Sequence, residues 1–498
     1  MSCTQGCKMG MASFKDKQPQ GLRLLYATEL TERIAFYTLQ TLLILYMSEG
    51  LNLSDDRAYL LFGAYSALLY LTAVVGGYLA DRFLGFQKAI LFGGWLFVLS
   101  YLLLVIPDQH FFYLGLSVNI VANGLFKPNV TSILGELYEG PEDPRRDAGY
   151  TLFYMGINIG SLLPPLFLGG LILWFNWQGG FSLAVLAMLV AMWIFLKGRG
   201  QLKGAGGIPL ASLYHHRGKK RVFLILFFSV ITLVIFFLYL LLHFAAEVDL
   251  FVGVVSILFI LMVLYLVFKE KGRERVRMGA ALLLTIISTA FWTFYAQQPT
   301  SLVLFAKRNM RKELLGIPLD AEATLFFSPF FIILFCPLLS KLWLYLQHRR
   351  RDWSTPIKFA FGILLMALGF LILGIGTRFF GKEALLSPWW MIFCFAFQAL
   401  GEVLLSPIGL SMITALSPHA HIGLMMGVWF LAQASAFALG GKLATFSTVL
   451  PRFTLEESLA VYSRAFLLFF WICFFFAVVA FLLAPLLNRM IHPKKTAL

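Results

Sequence analysis

The sequence predicts an all-α polytopic membrane protein with fourteen transmembrane helices. Of its 498 residues, 59% are hydrophobic and 13% are charged, and the mean hydropathy is +0.81. A soluble domain carries about twice that share of charged residues, so the composition excludes a soluble fold. A helix needs about 20 apolar residues to cross the hydrocarbon core. Runs of this kind lie at 22–47, 58–80, 88–106, 111–135, 149–174, 181–196, 222–244, 250–268, 279–304, 323–346, 357–376, 388–415, 422–447 and 464–487.

The loops between these runs predict the orientation in the bilayer. The net charge is +15, and the most basic loops, 197–221 and 269–277, fall on one side together with Arg349–Arg351 and the C-terminal tail. Because cytoplasmic loops carry an excess of Lys and Arg, this side is expected to be the cytoplasm. An even number of spans then places both termini there. The basic stretch Lys307–Lys312 falls on the outer side and departs from the rule.

Runs seven and eight stand apart from the other twelve. A short acidic loop with Glu247 and Asp249 joins them, the two most basic loops flank them, and they contain no charged residue of their own. Without this pair, two sets of six helices remain, which is typical of a major facilitator fold carrying an inserted hairpin. The alternative is that the hairpin belongs to the core. The predicted segments are a cytoplasmic N-terminal tail (1–21), an N-terminal six-helix bundle (22–196), a basic cytoplasmic linker (197–221), the hairpin (222–268), a second basic linker (269–278), a C-terminal six-helix bundle (279–487) and a cytoplasmic tail (488–498).

Several classes of protein are disfavoured by what the chain lacks. The five cysteines have no paired spacing, so we expect neither a disulfide framework nor a metal site. The first twenty residues contain no apolar core, so the first span itself is expected to direct insertion. No long basic patch interleaved with aromatic residues indicates nucleic-acid binding. No metalloprotease or hydrolase motif indicates an enzyme, and no filter sequence indicates a channel.

The first span carries three ionisable residues within an apolar helix. In T-E-L-T-E-R-I-A-F-Y (Thr28–Tyr37), Glu29, Glu32 and Arg33 stand at positions i, i+3 and i+4, which places all three on one side of a helix. Each charge at membrane depth is costly, so the three must face a partner or a water-filled cavity. We expect a substrate or proton pathway. The alternative is that Arg33 and one carboxylate form a packing ion pair, which would leave the other carboxylate in need of a partner.

A lysine in the fourth span is the candidate partner. In F-K-P-N (Phe126–Asn129), Pro128 frees a backbone carbonyl beside Lys127. A lysine within the membrane requires a carboxylate, and Glu29 and Glu32 are the natural candidates. With Arg33 the four formal charges sum to zero, so protonation of a carboxylate or arrival of a substrate anion would break the balance. We predict that these side chains meet where the first and fourth spans touch.

The turn between spans two and three reads G-G-Y-L-A-D-R-F-L-G (Gly76–Gly85). Its glycines allow close approach between helices, and its charged residues lie where they can bond neighbouring helix ends as the bundle moves. The alternative is a merely solvated turn. We predict a gating role for Gly77, Asp81, Arg82 and Gly85.

Polar residues also fall within the spans of the C-terminal half. Glu402 is the one carboxylate deep within these runs, about a dozen residues from either end of its own run. We therefore expect a functional carboxylate rather than a snorkelling acid near a helix end. For Trp292 and Trp429 the alternative is packing or lipid contact. The remaining polar candidates are Asn158 in the fifth span and Gln297, Ser328, Ser406 and Gln433 in the C-terminal half.

Together these motifs resemble those of the proton-dependent oligopeptide transporter family over nearly the whole chain. E-L-T-E-R-I-A-F-Y is similar to the family's E-x-x-E-R-F-x-Y-Y signature, Gly76–Gly85 to its G-G-x-x-A-D-R-x-x-G turn, and F-K-P-N is close to a hallmark of it. The fourteen-helix layout with an inserted hairpin is similar to that of its bacterial members. Further matches are Asn158, Phe291–Trp292, Gly401–Glu402, Ser406–Leu410 and Met426–Trp429.

The resemblance implies import of di- and tripeptides across a bacterial inner membrane by alternating access, with protons as the coupling ion and no other cofactor. It implies that Lys127, with the charged residues of the first span, links protonation to binding of the substrate carboxylate, and that Glu402 holds the peptide amino terminus. A zwitterion requires a cation at one end and an anion at the other, which this pair provides. The resemblance further implies that Tyr37, Tyr70 and Asn158 bond the peptide backbone and that Trp292 and Trp429 line side-chain pockets.

The chain departs from the family pattern at several positions. Gln40 stands where the family usually has an arginine that clamps the peptide carboxylate. Ala296 stands where it usually has a glutamate, a proposed proton site, so coupling would fall on the carboxylates of the first span or be altered. Phe36 replaces a tyrosine and Ser328 an asparagine. These departures leave open a non-peptide small anionic or amino-acid-like substrate. The expected partners are the substrate and the lipid bilayer, with no nucleic acid and no obligate protein partner.

Overall fold

The computed structural model of the chain describes residues 18–139, 143, 145–207, 217–349, 353–379, 384–418 and 421–491. Most of the predicted N-terminal tail, part of the first basic linker, Arg350, Arg351 and the end of the C-terminal tail lie outside these residues. The described chain contains fifteen α-helices. They are α1 (Gln20–Leu45), α2 (Asp55–Leu79), α3 (Phe86–Val105), α4 (Gln109–Glu136), α5 (Arg146–Leu162), α6 (Pro164–Gly198), α7 (Arg217–His243), α8 (Ala245–Lys269), α9 (Gly272–Tyr295), α10 (Val303–Asn309), α11 (Phe327–His348), α12 (Thr355–Phe379), α13 (Pro388–Leu416), α14 (Ile422–Ala444) and α15 (Leu455–Ile491).

The predicted all-helical membrane architecture is confirmed. Within the described chain, eleven helical segments are long and apolar enough to cross a membrane. One of them, Gly149–Leu202, holds two predicted runs, because the backbone leaves the helical conformation at Asn176 (φ 55°) and breaks α6 there. The eleven segments do not include α1 and α4, which carry the charged motifs. With α1 and α4 added to the eleven segments, every predicted run lies on a helical segment. A short antiparallel hairpin that the sequence did not predict, β1 (Glu313–Leu314) and β2 (Ile317–Pro318), separates α10 from α11.

The helices pack as two halves that meet along a few elements. In the N-terminal half, α1 packs on α5 and α6, and α4 packs on α2 and α3. In the C-terminal half, α12 packs on α13 and α15, and α9 packs on α14. The halves meet through α2 against α14 and through α5 against α11. Polar side chains on the facing sides of these helices therefore lie at the junction of the halves.

Helix α2 contacts both halves through glycines. Gly76 lies against the backbone carbonyl of Gly124 in α4, where a Cβ would overlap that carbonyl. Toward the other end of α2, a Cβ on Gly63 would come within 2.9 Å of the Cα of Gly441 in α14. Neither contact has room for a side chain, so the helix backbones themselves are in contact. This close approach fixes α2 within its own half and also joins it to the other half.

The α7–α8 hairpin lies at the periphery of the bundle. In the most apolar windows of α7 and α8, 17% and 22% of the residues are buried, against 61% in α2. α7 packs on α4, and α8 packs on α14 and α2, where Ser256 and Ser435 share a hydrogen bond of 2.7 Å. The hairpin thus touches both halves from outside, which disfavours the alternative that it belongs to the core. The segment boundaries given above stay predictions.

Candidate functional site

The three charged side chains of α1 are buried and make most of their polar contacts with one another. Glu29, Glu32 and Arg33 are 2%, 0% and 0% exposed. Arg33 forms a bidentate pair with Glu32, in which Nε and Nη2 donate to the two carboxylate oxygens at 2.6 Å each. Glu29 Oε1 lies farther from Arg33 Nε, at 3.4 Å. Glu29 Oε2 and Arg33 Nη1 have no hydrogen-bond partner in the described chain. The cluster therefore keeps one unpaired acceptor and one unpaired donor.

Lys127 does not make the predicted ion pair. Among the described residues, no carboxylate lies within 4.0 Å of its Nζ. The ammonium instead lies 5.7 Å from the centroid of the Phe36 ring, while the Arg33 guanidinium carbon lies 4.5 Å from the same centroid. The charge of Lys127 still acts on Glu29. Lys127 therefore interacts with the cluster through its charge and not through a direct ion pair, while Arg33 contacts both carboxylates from its own helix and leaves Glu29 Oε2 unpaired. Lys127 does face the first span, as predicted.

The proline of the F-K-P-N motif shapes α4 beside Lys127. Because Pro128 has no N–H, the carbonyl of Gly124, four residues earlier, lacks its helical donor. That carbonyl faces Gly76 of α2. At the next residue, the side-chain amide of Asn129 donates to the carbonyl of Leu125 at 2.7 Å. The freed carbonyl that the sequence predicts thus lies where α2 is seated against α4.

Glu402 is the buried acid of the C-terminal half. It lies on α13 with 8% of its surface exposed, and its Oε2 atom has no hydrogen-bond partner among the described residues. No Lys or Arg of the described chain lies within 4.0 Å of its carboxyl group. The hydroxyl of Tyr295 on α9 faces the carboxyl group instead. A buried carboxylate without a cation is costly, so Glu402 requires a proton or a positively charged ligand.

Phenols from both halves lie within electrostatic reach of Glu402. The charge of Glu402 acts on tyrosines of four different helices. Tyr37 is also within electrostatic reach of Arg33, so it interacts with both the α1 cluster and Glu402. Tyr70 stacks on Phe437 of α14 with ring centroids 5.2 Å apart, which joins the two halves. The four phenols are those of Tyr37 on α1, Tyr70 on α2, Tyr154 on α5 and Tyr295 on α9.

Three residues near Glu402 were not among those predicted from the sequence. Tyr154 lies one helical turn before Asn158, and Tyr295 lies three residues after Trp292, so helical spacing from the predicted residues was the available signal. Cys336 of α11 is half-buried and packs in the small apolar cluster of Ala399 and Val403 that flanks Glu402 on α13. The charge of Glu402 acts on this thiol. No pattern in the sequence indicates that contact.

Some predicted site residues are used by the packing of the C-terminal half. The Gln297 side-chain amide donates to the carbonyl of Gly440 at 2.9 Å, and its oxygen accepts a hydrogen bond from Ser301 at 2.9 Å, so Gln297 ties α9 to α14. The ring of Trp429 lies on Gly409, where a Cβ would overlap it. The two matched segments Ser406–Leu410 and Met426–Trp429 therefore pack against one another. Roles for Gln297 and Trp429 in substrate binding stay predictions.

Of the other predicted polar residues, Trp292 and Ser328 have polar atoms without a hydrogen-bond partner in the described chain. Trp292 is 6% exposed, and its Nε1 atom is buried without a partner among the described residues, as is the hydroxyl of Ser328. The amide of Asn158 donates to the carbonyl of Tyr154 at 2.9 Å within α5. Gln433 is buried, and Gln40 and Ser406 are half-buried. Their contacts with substrate stay predictions.

The departure at Ala296 has a packing explanation. Ala296 is 2% exposed and lies against α14, where a Cβ on Gly440 would come within 2.5 Å of the Ala296 methyl group. A glutamate has no room between α9 and α14 in this arrangement. Where the family usually has a glutamate, this chain therefore has a small residue that allows α9 and α14 to pack closely.

The turn after α2 has the predicted glycine contacts but not ionic ones. Gly77 lies 3.5 Å from Pro128 of α4, measured from an ideal Cβ position. Gly85 has φ of 79°, a conformation that favours glycine and lets the chain pass from the π-helical turn Ala80–Leu84 into α3. Asp81 and Arg82 are exposed and make no ion pair within the described chain. Their gating role stays a prediction.

Two ion pairs join the halves at the end of the bundle opposite the most basic loops. Asp55 at the start of α2 is 4% exposed and is paired with Arg308 of α10, with a shortest contact of 2.5 Å. Arg308 also donates to the hydroxyl of Tyr462 at 3.2 Å. Glu49 pairs with Lys307 at 3.1 Å, although their side chains are 40% and 32% exposed. Glu49 and Asp55 of the N-terminal half therefore partly neutralise the basic stretch Lys307–Lys312. This pairing accounts for the presence of a basic stretch on the outer side.

Comparisons with known proteins agree with this architecture. A sequence model of the POT family matches residues 87–461. The chain belongs to the POT family. One relative, the dipeptide and tripeptide permease B of Salmonella typhimurium, is 34% identical over 485 residues. The match covers 96% of this chain and 98% of the relative. The permease of the same name from Edwardsiella piscicida is 36% identical over 444 residues, 87% of each chain.

Solved structures of POT transporters share the fold. A variant of the peptide transporter POT in complex with alafosfalin superposes with a TM-score of 0.82 at 30% identity, covering 95% of this chain and 96% of the other. The POT-family chain is thus an integral multi-pass membrane protein of the major facilitator fold. In its described part, no three His, Cys, Asp or Glu residues are grouped so that they could hold a metal ion.

Proposed function

We propose that this protein is a proton-coupled symporter that imports di- and tripeptides by alternating access. The observation that carries the proposal is a pair of incompletely paired charges of opposite sign on the two halves. The N-terminal half offers Arg33 Nη1 and the Lys127 ammonium, and the C-terminal half offers Glu402 Oε2. A short peptide has a carboxylate at one end and an ammonium at the other. It satisfies both sites together, which neither a simple anion nor a simple cation does.

The peptide backbone lies between these charged ends in the proposal. Tyr37 is within electrostatic reach of both Arg33 and Glu402, and Tyr70 and Tyr154 are within reach of Glu402. Phenols donate and accept hydrogen bonds, so they suit the alternating N–H and C=O groups of a peptide regardless of its side chains. This arrangement accounts for recognition of a class of substrates rather than of one compound.

Glu29 is the proton carrier in this scheme. Its contact with Arg33 is 3.4 Å, against 2.6 Å for Glu32, and its Oε2 atom has no partner in the described chain. Protonation of Glu29 therefore breaks the weaker of the two pairs. It leaves two cations, Arg33 and Lys127, against the single anion Glu32, and the surplus positive charge attracts the substrate carboxylate. Proton binding and substrate binding thus favour one another.

Alternating access requires that the two ends of the bundle open in turn. The ion pairs Asp55–Arg308 and Glu49–Lys307 hold the halves together at one end. We assign that end to the outside of a bacterial inner membrane and assign both termini to the cytoplasm, because the most basic loops lie at the other end. In this arrangement the substrate leaves toward the cytoplasm, and breaking the two pairs admits the next one. The protein acts as a carrier rather than an enzyme.

Uptake of labelled dialanine into proteoliposomes under an imposed pH gradient tests the proposal. We expect uptake that is driven by an inward proton gradient and lost when a protonophore dissipates it. Glu29→Gln should lose gradient-driven uptake while keeping exchange of internal for external peptide, because exchange needs no net proton movement. Uptake that ignores the gradient would remove the coupling, and the absence of uptake of any peptide would remove the substrate assignment.

The thiol of Cys336 provides a second test, of where the peptide binds. Cys336 is half-buried beside Glu402, whereas Cys394 and Cys473 are buried. With Cys3 and Cys7 of the tail replaced by serine, alkylation should occur at Cys336 and should be slowed by dialanine. Alkylation at an unchanged rate in saturating dialanine would place the peptide elsewhere, and Cys336→Ser controls for labelling at other sites.

The non-peptide alternative is not favoured. It depends on Gln40 and Ala296, yet the relatives that match nearly the whole chain are named dipeptide and tripeptide permeases. Packing against α14 accounts for Ala296 without any change of substrate.

A further inference from the structure

The joint between α8 and α9 combines an apolar face with an unusual concentration of positive charge. Within nine residues, 269–277, it contains five basic side chains. Above them, the side of α8 that carries Leu258, Tyr265 and Phe268 is 62%, 58% and 63% exposed. This face of a transmembrane helix is in contact with lipid chains. The basic residues therefore lie at the boundary between the hydrocarbon and the water.

Two of the cations are held against the exposed rings. The Lys269 ammonium lies 4.6 Å from the centroid of Tyr265, and the Arg275 guanidinium carbon lies 4.8 Å from that of Phe268. Such pairs keep the positive groups at the edge of the apolar face that adjoins the α8–α9 joint. A ligand that has an anionic head and apolar chains matches both parts of this surface.

Unpaired donors lie at the inner side of the same joint. Arg277 donates from Nη2 to the carbonyl of Ala415 at 2.9 Å, but its Nε atom is buried without a partner in the described chain, as is the hydroxyl of Ser417. The first turn of α9 has no side chain capping its N–H groups. Two acids also lie in the joint: Glu270 is paired with His421 at 3.1 Å, and Glu274 in the first turn of α9 is exposed, so five basic residues stand against two acidic ones. A helix N-terminus with free N–H groups and a neighbouring guanidinium favours a phosphate oxygen.

We propose that this joint binds the headgroup of an anionic phospholipid. The phosphate lies against the start of α9 and the side chain of Arg277. Lys271 and Arg273 supply the surrounding positive charge. The acyl chains lie along Tyr265 and Phe268. A soluble phosphate would use the donors but not the apolar face, which is why the lipid is the occupant. The bound lipid connects the hairpin, through α8, to the loop after α13 in the C-terminal half.

Lipid retention by the purified full chain tests the proposal. The delipidated protein is exposed to phosphatidylglycerol or phosphatidylcholine, and the bound lipid is counted by native mass spectrometry. We expect phosphatidylglycerol to be retained and phosphatidylcholine to be lost. The variant K271Q/R273Q removes two exposed charges that make no hydrogen bond or ion pair in the described chain. Each charge removed should weaken phosphatidylglycerol binding by about fivefold, the equivalent of about 1 kcal/mol per basic residue near an anionic surface.

The matched control is R311Q/K312Q, which removes two exposed charges at the opposite end of the bundle. It should retain phosphatidylglycerol like the unaltered protein. Arg277→Gln provides a second variant, and its thermal midpoint without lipid shows whether it is folded. Equal loss of phosphatidylglycerol in K271Q/R273Q and in the control would overturn the proposal. So would stabilisation by inorganic phosphate that matches stabilisation by phosphatidylglycerol, since the site would then be one for a soluble anion.

Discussion

The two halves of the transporter bury their charges in different ways. In the N-terminal half, Glu29, Glu32 and Arg33 lie on one helix and largely satisfy one another. In the C-terminal half, Glu402 is buried with a phenol beside it and no cation within 4.0 Å in the described chain. The first arrangement needs only its own helix, whereas the second is incomplete without a proton or a ligand.

This difference separates stability from recognition. Removing one member of a buried ion pair leaves its partner as an uncompensated charge, which is strongly destabilising. Removing a buried charge that has no partner should stabilise the fold, because the desolvation penalty of that charge is not offset by any ion pair. The two sites should therefore respond in opposite directions to loss of charge, although loss of either should stop transport. Arg33→Met and Glu402→Gln test this contrast, and Asp55→Asn and Glu49→Gln test the ion pairs that join the two halves.

Arg33→Met should have the largest effect. It leaves two adjacent buried carboxylates without their cation, and we expect the free energy of unfolding to fall by about 3–5 kcal/mol, with peptide uptake lost. The measurement is thermal or chemical unfolding of the purified protein in detergent. Arg23→Met, an exposed arginine on the same helix, serves as control and should change stability by less than about 0.5 kcal/mol. An unchanged unfolding midpoint in Arg33→Met would show that the cluster is not an element of stability.

Glu402→Gln should weaken peptide recognition and leave the fold intact. Loss of the charge-assisted bond to the peptide ammonium should reduce dialanine affinity at least tenfold, about 1.4 kcal/mol, while the unfolding midpoint stays the same or rises. Peptide-dependent thermal stabilisation reports both quantities in one experiment. Glu274→Gln, at an exposed acid in the first turn of α9, should change neither. A destabilisation as large as that of Arg33→Met would mean that Glu402 has a structural partner after all.

Asp55→Asn should alter the balance between the two ends of the bundle rather than the site itself. It breaks a buried pair between the halves, so it should favour opening at that end. In a double-mutant cycle with Arg308→Gln, we expect a coupling energy of about 0.5–3 kcal/mol. A cysteine placed at Ser447, which is buried beside Tyr59 at this end, should react faster with a membrane-impermeant maleimide in the Asp55→Asn background. Equal labelling rates would show that the pair does not hold this end closed.

Glu49→Gln should have the smallest effect of the four. It breaks the neighbouring pair with Lys307, but both side chains are partly exposed to water. Exposed pairs contribute less than about 1 kcal/mol, so labelling at the Ser447 position should change little. A larger increase than that produced by Asp55→Asn would contradict the ranking of the two pairs by burial.

The fold and the local part of the site could be predicted because they depend on neighbouring residues. The length and spacing of apolar runs gave the spans, and helical spacing grouped Glu29 with Glu32 and Arg33. The isolated acid at position 402 was evident from its depth in an apolar run. These features need no knowledge of how the helices are arranged around one another.

Contacts between distant helices could not be predicted in the same way. The lack of a direct Lys127 ion pair could not be predicted, because spacing along α4 does not show which group on α1 its ammonium reaches. Asp55 and Arg308 are 253 residues apart and looked like ordinary loop charges. The small size of Ala296 became meaningful only when Gly440 was found against it. Each of these facts depends on side-chain reach across an interface.

The bare contact of α2 with its neighbours bears on how the halves move. Where Gly63 meets Gly441, no side chain is lodged in a groove of the opposing helix. At this point of contact, rotation does not require any side chain to be withdrawn and reinserted, unlike motion across an interdigitated interface. α2 is thus suited to be the axis of the rocking motion, and a single added methyl group at Gly63 would force the two halves apart at their pivot.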